Sequence, residues 1–402
     1  MSRFQRFSAA ALGLLVGATA CTDDELLHPA NLTLADARFE RYVAMGNSIT
    51  AGFQSGGISD SLQVQSYAVL LSRQMGTPFF APLMSRPGCP APFANIFRQV
   101  RIDSLAPLPC HPPFRRAQTP PPPYISNTAV PGAEVIDALS NLSPESNANA
   151  LTTFFLGGQT QIQAMRRVNP TFVTVWIGNN DVLGAALASD TTRLTPTATF
   201  QASYAALVDS VAGTGASAVL IKVGVGDTSL IPYFSRGTTY FAIKNGLVPG
   251  AAFPPAFTVM ANCAPPRGDS VLVGFPVGAP LISAAAGGTP TTLDCADTTQ
   301  AIQPAEYGRL RSAAFAYNGV IDAQAASRTW PTLDLNAAFD SLRAAGQVRA
   351  FPNLGAACST NPFGAAFSCD GVHPSTSAHK LIANKLIERI NAAHGTTMAR
   401  IP

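Results

Sequence analysis

The chain has 402 residues, a formal net charge of +3 and only 12% charged residues, with basic residues scattered along its length. This balance argues against an electrostatic nucleic-acid binder, and no apolar run of the length that spans a bilayer follows the N-terminus, which argues against an integral membrane protein. Apolar residues make up 47% of the chain, which is enough for a sizeable globular core.

The N-terminus has the pattern of a secretory signal. Arg3 and Arg6 precede a short apolar run over residues 9–16, and small residues then lead to Cys21. A charged start, an apolar centre and small residues before a cleavage point are typical of a signal peptide. We therefore predict a signal peptide over residues 1–20 and export of the mature chain.

The predicted cleavage point, Ala18-Thr19-Ala20-Cys21, resembles the lipobox of bacterial lipoproteins, although that motif prefers Leu where Ala18 stands. The resemblance implies that Cys21 carries a lipid and anchors the protein at a membrane surface facing the periplasm or the cell exterior. Residues 21–37 then form a short tether. The alternative is a soluble secreted protein with a free terminal thiol.

Beyond the tether, predicted strands alternate with predicted helices. Continuous apolar segments predict buried strands, and helical apolar spacing predicts amphipathic helices. Uninterrupted apolar strands that alternate with helices are typical of a parallel sheet covered on both faces, so we predict an α/β fold. In chain order the predicted elements are a strand over 39–45, a helix over 62–75, strands over 171–177 and 219–225 on either side of a helix over 199–212, a helix over 304–327, a strand over 332–335 and a helix over 375–393.

Two long segments interrupt this alternation. Residues 85–123 are rich in proline and predict an irregular surface excursion. Residues 228–300 lose apolar periodicity and contain many Gly, Pro, Ala and Thr residues, so we interpret them as an inserted lid or flap. We expect a single domain over residues 38–400 that includes both irregular insertions.

Ser48 occupies a turn that favours a nucleophile. It follows the first predicted strand and precedes a helix, within the glycine-flanked sequence G-N-S-I-T-A-G over residues 46–52. A serine at the carboxyl edge of a parallel sheet is accessible to a substrate, and a helix N-terminus stabilises negative charge. The alternative is that Ser48 is an ordinary helix N-cap.

A serine nucleophile needs a base, and His373 is the best placed of the five histidines. It lies in a loop before the last predicted helix, with Asp370 three residues upstream. At this spacing the carboxylate can hold the second ring nitrogen of the imidazole, as a catalytic histidine requires. His379 falls within the last helix, and we expect it at the surface.

Two further segments offer hydrogen-bond donors at the same edge of the sheet. The segment over residues 126–133 provides the backbone N–H of Gly132, and the segment over residues 176–181 provides the side-chain amide of Asn180. An oxyanion hole is built from donors of this kind. The alternative for each segment is an ordinary turn.

In chain order the four motifs read G-N-S-I-T, N-T-A-V-P-G-A, G-N-N-D and D-G-V-H-P. This series resembles the SGNH hydrolase superfamily, also called GDSL esterases and lipases, over about residues 40–395. The resemblance implies a three-layer α/β/α sandwich with a mostly parallel, flavodoxin-like sheet. The sequence departs from the family motif at Asn47, where the motif has Asp.

The resemblance also assigns roles to the site residues. It implies that Ser48 is the nucleophile and that Asp370 and His373 complete a catalytic triad. It further implies that the backbone N–H groups of Ser48 and Gly132, together with the Asn180 amide, form the oxyanion hole.

The reaction that the resemblance implies is hydrolysis of a carboxylic ester through an acyl-serine intermediate. No cofactor or metal is expected, because the sequence contains neither H-E-x-x-H nor C-x-x-C. One alternative is a carbohydrate esterase that removes acetyl groups from polysaccharide, and another is a non-catalytic surface binding protein on this scaffold. Apolar and aromatic residues in the 228–300 insertion favour a lipid-like acyl chain, and the alternative is that they only pack the flap. They are Ile231, Tyr233, Phe234, Tyr240, Phe241, Phe253 and Phe257.

Six cysteines remain besides Cys21, an even number that favours disulfides in an exported chain. They can pair in many ways. Because each sequential pair falls within one irregular stretch, we predict the bridges Cys89–Cys110, Cys263–Cys295 and Cys358–Cys369.

Overall fold

The computed structural model describes residues 33–105, 110, 122–141, 149–224 and 231–402. The predicted signal peptide, Cys21 and most of the predicted tether lie outside the described residues. No helix of the described part is long and apolar enough to cross a membrane.

Helices and strands alternate through the described ranges. The helices are α1 (Ser48–Ala51), α2 (Asp60–Gln63), α3 (Tyr67–Met75), α4 (Val135–Leu139), α5 (Asn149–Leu156), α6 (Gln161–Val168), α7 (Asn180–Leu187), α8 (Thr197–Ala212), α9 (Gly237–Lys244), α10 (Phe275–Ala286), α11 (Pro304–Ala326), α12 (Asn336–Ala344) and α13 (Thr376–His394). The strands are β1 (Tyr42–Gly46), β2 (Phe93–Asn95), β3 (Val100–Arg101), β4 (Phe172–Trp176), β5 (Ser217–Ile221), β6 (Phe234–Arg236), β7 (Phe257–Val259), β8 (Leu272–Gly274), β9 (Thr291–Leu293) and β10 (Thr332–Leu333).

A parallel sheet lies at the centre of the fold, with the strand order β1-β4-β5-β10. On the free side of β1, Asn127 forms a further parallel bridge with Ala44. With this segment counted as the second in sequence, the order becomes 2-1-3-4-5, which is that of flavodoxin-like sheets. The predicted α/β fold with a mostly parallel sheet is therefore confirmed.

Helices cover the sheet on both faces. Side chains of a strand point alternately to opposite sides, so successive residues of β1 pack against different helical layers. Val43 and Met45 of β1 pack in one apolar cluster with helices α4, α6, α8 and α11. Tyr42 and Ala44 pack in a second cluster with α3 and α13. Every residue of β1 and β4 is buried, as expected for strands between two helical layers. The molecule is thus a three-layer α/β/α sandwich.

The segment expected to be irregular over residues 228–300 contains regular elements in its described part. Helices α9 and α10 lie there, with the antiparallel pair β6–β8 and the parallel pair β7–β9. They share an apolar cluster that includes Tyr240, Phe257 and Leu293. The sequence pattern did not reveal the strands, because each is only three residues long. It did not reveal α10, because apolar and small residues lie on all sides of this helix and no polar face alternates with an apolar one.

The first long insertion contains the short antiparallel pair β2–β3 in its described part. Disulfide bridges occur in both insertions and in the loop before α13. The structure joins the six cysteines as Cys89–Cys110, Cys263–Cys295 and Cys358–Cys369.

Candidate active site

The turn after β1 presents the hydroxyl of Ser48. Strand β1 ends at Gly46 and helix α1 begins at Ser48. The side chain of Asn47 is the N-cap, and its Oδ1 accepts from the Ile49 N–H at 3.1 Å. The alternative that Ser48 caps the helix is therefore wrong. Asn47 supplies a capping oxygen where the family motif has Asp, so the local turn keeps its cap and the hydroxyl of Ser48 is not needed for it.

Ser48, His373 and Asp370 form a continuous chain of hydrogen bonds. The Oγ of Ser48 lies 2.9 Å from Nε2 of His373, and Nδ1 of His373 lies 2.8 Å from Oδ2 of Asp370. Because a carboxylate can only accept, Nδ1 carries the proton and Nε2 is left to accept from the serine. This arrangement allows His373 to remove the proton of Ser48.

The Asp370 carboxylate is buried and holds several donors. Oδ2 also accepts from the Gly56 N–H at 2.7 Å, and Oδ1 accepts from the N–H groups of Val372 and His373 at 2.9 and 2.8 Å. Burial by itself raises the pKa of Asp370, but the charge of His373 and these hydrogen bonds outweigh it and lower the pKa to about 2. Asp370 is therefore ionised at every pH at which an esterase is normally assayed.

A side-chain contact connects this carboxylate to the turn after α1. The Oγ of Ser368 donates to Oδ1 of Asp370 at 3.1 Å and accepts from the Ser55 N–H at 2.8 Å. The turn after α1 thus holds the loop that carries Asp370, although more than 300 residues separate them in sequence. No pattern in the sequence points to Ser55 or Ser368, because neither belongs to a motif with a chemical role.

Two of the three predicted oxyanion donors, Gly132 and Asn180, lie on neighbouring segments. Asn180 is the first residue of α7 and lines the same cleft as Ser48. One N–H of its amide donates to the Ala133 carbonyl at 2.9 Å, which leaves the other available. This contact also holds the turn that contains Gly132 beside α7.

Gly132 lies on an exposed turn with a positive φ of 80°. Its N–H donates to none of the described residues, and the turn is fixed to the end of β1 by a hydrogen bond from Val130 N–H to the Gly46 carbonyl. Gly132 is not among the residues that line the cleft around Ser48. The structure thus brings Asn180 to the cleft and places Gly132 on the adjoining turn.

Apolar side chains form most of the cleft around Ser48. They come from the sheet, from α7, from α12 and from the loop before α13, and the second insertion contributes Ile231. The aromatic residues of that insertion, such as Tyr240 and Phe253, pack on one another and on Phe351 instead. Of the insertion side chains that favoured a lipid-like acyl chain, Ile231 lines the cleft and the aromatic ones of the described residues do not. The apolar lining residues are Ile49, Trp176, Leu183, Ile231, Phe339, Phe367, Val372 and Pro374.

His379 is fully buried, which contradicts the expectation that it lies at the surface. Its Nδ1 accepts from the Tyr67 N–H at 3.3 Å, and the two rings are nearly parallel. Burial, with a smaller contribution from the charge of His373, lowers its pKa to about 3. The sequence analysis missed this because His379 belongs to the same face of α13 as Ile382 and Leu386, which packs on α3.

Asp181 is a second buried carboxyl group that the sequence analysis did not assign. Its Oδ2 accepts from the Val135 N–H at 3.1 Å and so connects α7 to the start of α4. Burial, and then the charge of Glu134, raise its pKa to about 8. Among the described residues, no cluster of three or more His, Cys, Asp or Glu side chains has the geometry of a metal site.

Solved structures of low identity resemble the chain. One is an alpha/beta hydrolase enzyme from the metagenome of Lake Arreo, Spain, with 15% identity, a TM-score of 0.38, and coverage of 90% of this chain and 98% of that one. Another is a catalytic mutant of Axe2, an acetylxylan esterase from Geobacillus stearothermophilus, with 14% identity, a TM-score of 0.40, and coverage of 90% and 97%. No curated protein matches the chain in sequence.

The family comparison is more decisive, because it extends over most of the chain and includes all the site segments described above. The model of the GDSL-like lipase/acylhydrolase family matches residues 42–386. The chain belongs to the GDSL-like lipase/acylhydrolase family, whose members are carboxylic ester hydrolases.

Proposed function

We propose that this protein is a serine esterase in which Ser48, His373 and Asp370 act as the catalytic triad. The observation that carries the proposal is the hydrogen-bonded chain from Ser48 through His373 to Asp370, at 2.9 and 2.8 Å. A non-catalytic binding protein would have no need of a free serine hydroxyl held against an oriented imidazole. The intact chain of contacts therefore argues against that alternative.

The reaction follows from the direction of these hydrogen bonds. His373 takes the proton from Ser48 Oγ as this oxygen attacks the ester carbonyl, and a tetrahedral oxyanion forms. The protonated His373, stabilised by the Asp370 carboxylate, then gives its proton to the departing alcohol and leaves an acyl-serine. Water activated by His373 attacks the acyl-serine, releases the acid and restores the serine.

The oxyanion needs donors that are in place before the reaction. We assign this role to the N–H of Ser48, the N–H of Gly132 and the free N–H of the Asn180 amide. The Ser48 N–H belongs to the first turn of α1, whose N–H groups have no acceptor within the helix. The helix terminus adds favourable positive potential at the same place.

Replacing the nucleophile tests this proposal. Ser48→Ala should lower kcat/KM for 4-nitrophenyl acetate by about 10³-fold or more, as in other triads that lose one member. Ser283→Ala is the matched control, because Ser283 is exposed on α10, and it should hydrolyse the ester at the wild-type rate. A purified Ser48→Ala variant with a near-native rate would disprove the assignment.

Two substrate classes remain for this enzyme, lipid-like esters and acetylated glycans. Similarity to an acetylxylan esterase of this fold is consistent with the second class, and the insertion aromatics that favoured the first do not line the cleft. Two measurements distinguish these substrate classes. One is the initial rate of hydrolysis of 4-nitrophenyl esters of increasing acyl length, and the other is the release of acetate from acetylated xylan. Rates that rise with chain length would identify a lipase, and efficient acetate release would identify a carbohydrate esterase.

We also propose that the mature protein is an exported lipoprotein with one catalytic domain over residues 38–400. Three disulfide bridges are typical of an exported protein, and Cys21 is the one cysteine of seven outside them. Mass spectrometry of the mature N-terminus should find Cys21 as the first residue, with diacylglycerol attached. A soluble form that starts with unmodified Cys21 would contradict the anchor.

A further inference from the structure

The cleft beside Ser48 contains two buried hydrogen-bond donors that the triad does not use. Nδ2 of Asn179 and Nε1 of Trp176 are buried and have no acceptor among the described residues. Both side chains line the cleft, with exposed fractions of 3% and 2%. Buried donors are nearly always paired, because an unpaired donor costs free energy. These two groups are therefore suited to an acceptor that enters the cleft.

The orientation of the Asn179 amide is fixed by its other atom. Oδ1 accepts from the Gly224 N–H at 2.9 Å. If the amide were turned over, Nδ2 would face the Gly224 N–H and two donors would oppose each other. Oδ1 therefore stays on Gly224, and Nδ2 is left to donate elsewhere.

Trp176 lies beside the same residue. A Cβ atom on Gly224 would be 3.9 Å from Cζ2 of Trp176, and a single ring carbon separates Cζ2 from Nε1. Trp176 is the last residue of β4, and Asn179 directly precedes α7. The indole of Trp176 and the amide of Asn179 thus both adjoin Gly224. The wall of the cleft thus has two neighbouring residues whose donors have no acceptor among the described residues.

The other residues of the cleft restrict the kind of acceptor. Most lining side chains are apolar, including Leu183, Phe339 and Phe367. No Asp, Glu, Lys or Arg side chain of the described part lines the cleft. An anionic group would therefore be desolvated there without a compensating cation. A neutral ether, carbonyl or hydroxyl oxygen fits both the donors and the apolar walls.

We propose that Asn179 and Trp176 are specificity-determining residues that donate hydrogen bonds to a neutral oxygen of the ester substrate, near the scissile group. A purely hydrocarbon substituent would leave both donors buried and unpaired, so the enzyme prefers an oxygenated ester over a hydrocarbon ester of the same shape. This inference rests on the proposed function, since the ester must occupy the same cleft to reach Ser48.

Substrate pairs in which one methylene is replaced by an ether oxygen test this preference. On the acyl side the pair is 4-nitrophenyl butyrate and 4-nitrophenyl methoxyacetate, and on the alcohol side it is butyl acetate and 2-methoxyethyl acetate. For each pair the ratio of kcat/KM, oxygenated over hydrocarbon, is measured in the wild type and in each variant. The folded fraction cancels within each ratio, and the intrinsic reactivity of the esters cancels between variants.

Removal of either donor should lower the ratio for at least one pair by about 2- to 10-fold, the usual effect of one hydrogen bond. Asn179→Leu removes the whole amide, whereas Asn179→Asp removes the donor and keeps an oxygen that can accept from Gly224. Trp176→Phe removes the indole N–H but keeps an aromatic ring against Tyr67.

Leu183→Ala is the matched control, because it enlarges the cleft without removing a donor. It should change both members of each pair alike and leave the ratios at their wild-type values. Ratios that stay unchanged for both pairs in the Asn179 and Trp176 variants would overturn the inference while the esterase function stands. A wild-type protein that hydrolyses none of the four esters would overturn the proposed function, and this inference with it.

Discussion

Asp370 and Asp181 are both buried, yet their environments favour opposite charge states. Asp370 accepts hydrogen bonds from backbone N–H groups, from Ser368 and from His373, and its pKa falls to about 2. Asp181 has fewer donors and lies near the negative charge of Glu134, and its pKa rises to about 8. Burial opposes ionisation at both positions, so the number of donors and the sign of the neighbouring charge decide the outcome. Asp370 suits a charged role beside His373, whereas Asp181 suits a structural contact.

Asp181→Asn should make the stability of the protein less dependent on pH. In the unfolded chain an Asp ionises near pH 4, but folded Asp181 keeps its proton up to about pH 8. The stability that this proton contributes is fully present below pH 4 and is lost progressively as the pH rises to 8. Because Asn stays neutral, the melting temperature of the variant relative to the wild type should rise between pH 5 and pH 8.

Thermal denaturation at intervals across that range measures the effect directly. Asp340→Asn is a suitable control, because Asp340 is exposed on α12. A difference between Asp181→Asn and the wild type that is the same at pH 5 and pH 8 would show that Asp181 ionises normally in the folded protein.

Asn180→Ala should slow catalysis without weakening substrate binding. The amide is expected to donate to the oxyanion, which exists only after Ser48 has attacked. Loss of one oxyanion donor typically lowers kcat by roughly 10²–10³-fold. Steady-state kinetics should therefore show a lower kcat with little change in KM, and a rise in KM alone would make Asn180 a ground-state substrate contact.

The sequence was sufficient to propose candidate site residues, because each lies in a short motif at the end of a predicted strand or before a predicted helix. It could not show the surroundings of these residues, which are built from distant parts of the chain. The burial of His379 depends on the packing of α3 against α13. The orientation of the Asn179 amide depends on the hydrogen bond from the Gly224 N–H. Neither contact leaves a pattern in the local sequence.

Among the elements, the loop before α13 is the one on which the geometry of the proposed triad depends most. It carries Asp370 and His373, and the Cys358–Cys369 bridge ends next to Asp370. The second insertion supports the loop as well, because the Tyr233 N–H donates to the Gly371 carbonyl at 2.9 Å. A covalent bond and a contact from the insertion thus restrain a segment that has no regular structure of its own.

Removal of this bridge should lower activity before the protein unfolds. In Cys358→Ser/Cys369→Ser the loop gains freedom, and a displacement of about 1 Å at a catalytic group can cost on the order of 10²-fold in rate. We expect kcat to fall at least about 10-fold at temperatures where the far-ultraviolet circular dichroism is native.

The Cys263–Cys295 pair provides the control for this experiment. It lies inside the second insertion, in a separate apolar cluster. Its double serine variant should lose stability but keep kcat while it remains folded. Full activity in Cys358→Ser/Cys369→Ser would show that the loop holds its geometry without the bridge.

The elements that the sequence predicted are those with strong apolar patterns. Strands β1, β4 and β5 and helices α8, α11 and α13 lie where continuous or helical apolar spacing places them. The predicted helix over residues 62–75 instead divides into α2 and α3, because Ser66 caps a new helix through the Val69 N–H. The helices α4 to α7 were not predicted, because all four are eight residues or shorter and provide too few turns for a clear period.

At the scale of the whole molecule, the sheet topology explains why motifs that are distant in sequence meet at one edge of the sheet. The segment at Asn127 and strand β4 lie on opposite sides of β1, so the connections that follow β1 and β4 diverge at this point of the sheet. In open α/β sheets such a switch point is where ligands bind, beyond the carboxyl ends of the strands. Ser48 follows β1 and Asn180 follows β4, and the loop before α13 brings His373 to the same edge.

The identity of the nucleophile is the central claim, and covalent labelling tests it most directly. The purified protein is treated with a fluorophosphonate, which phosphonylates an activated serine, and the modified peptide is identified by mass spectrometry. We predict a single adduct per chain, on Ser48, that forms much more slowly in His373→Ala because the base is missing. An adduct on another serine, or unmodified Ser48 in a preparation that hydrolyses esters, would contradict the account.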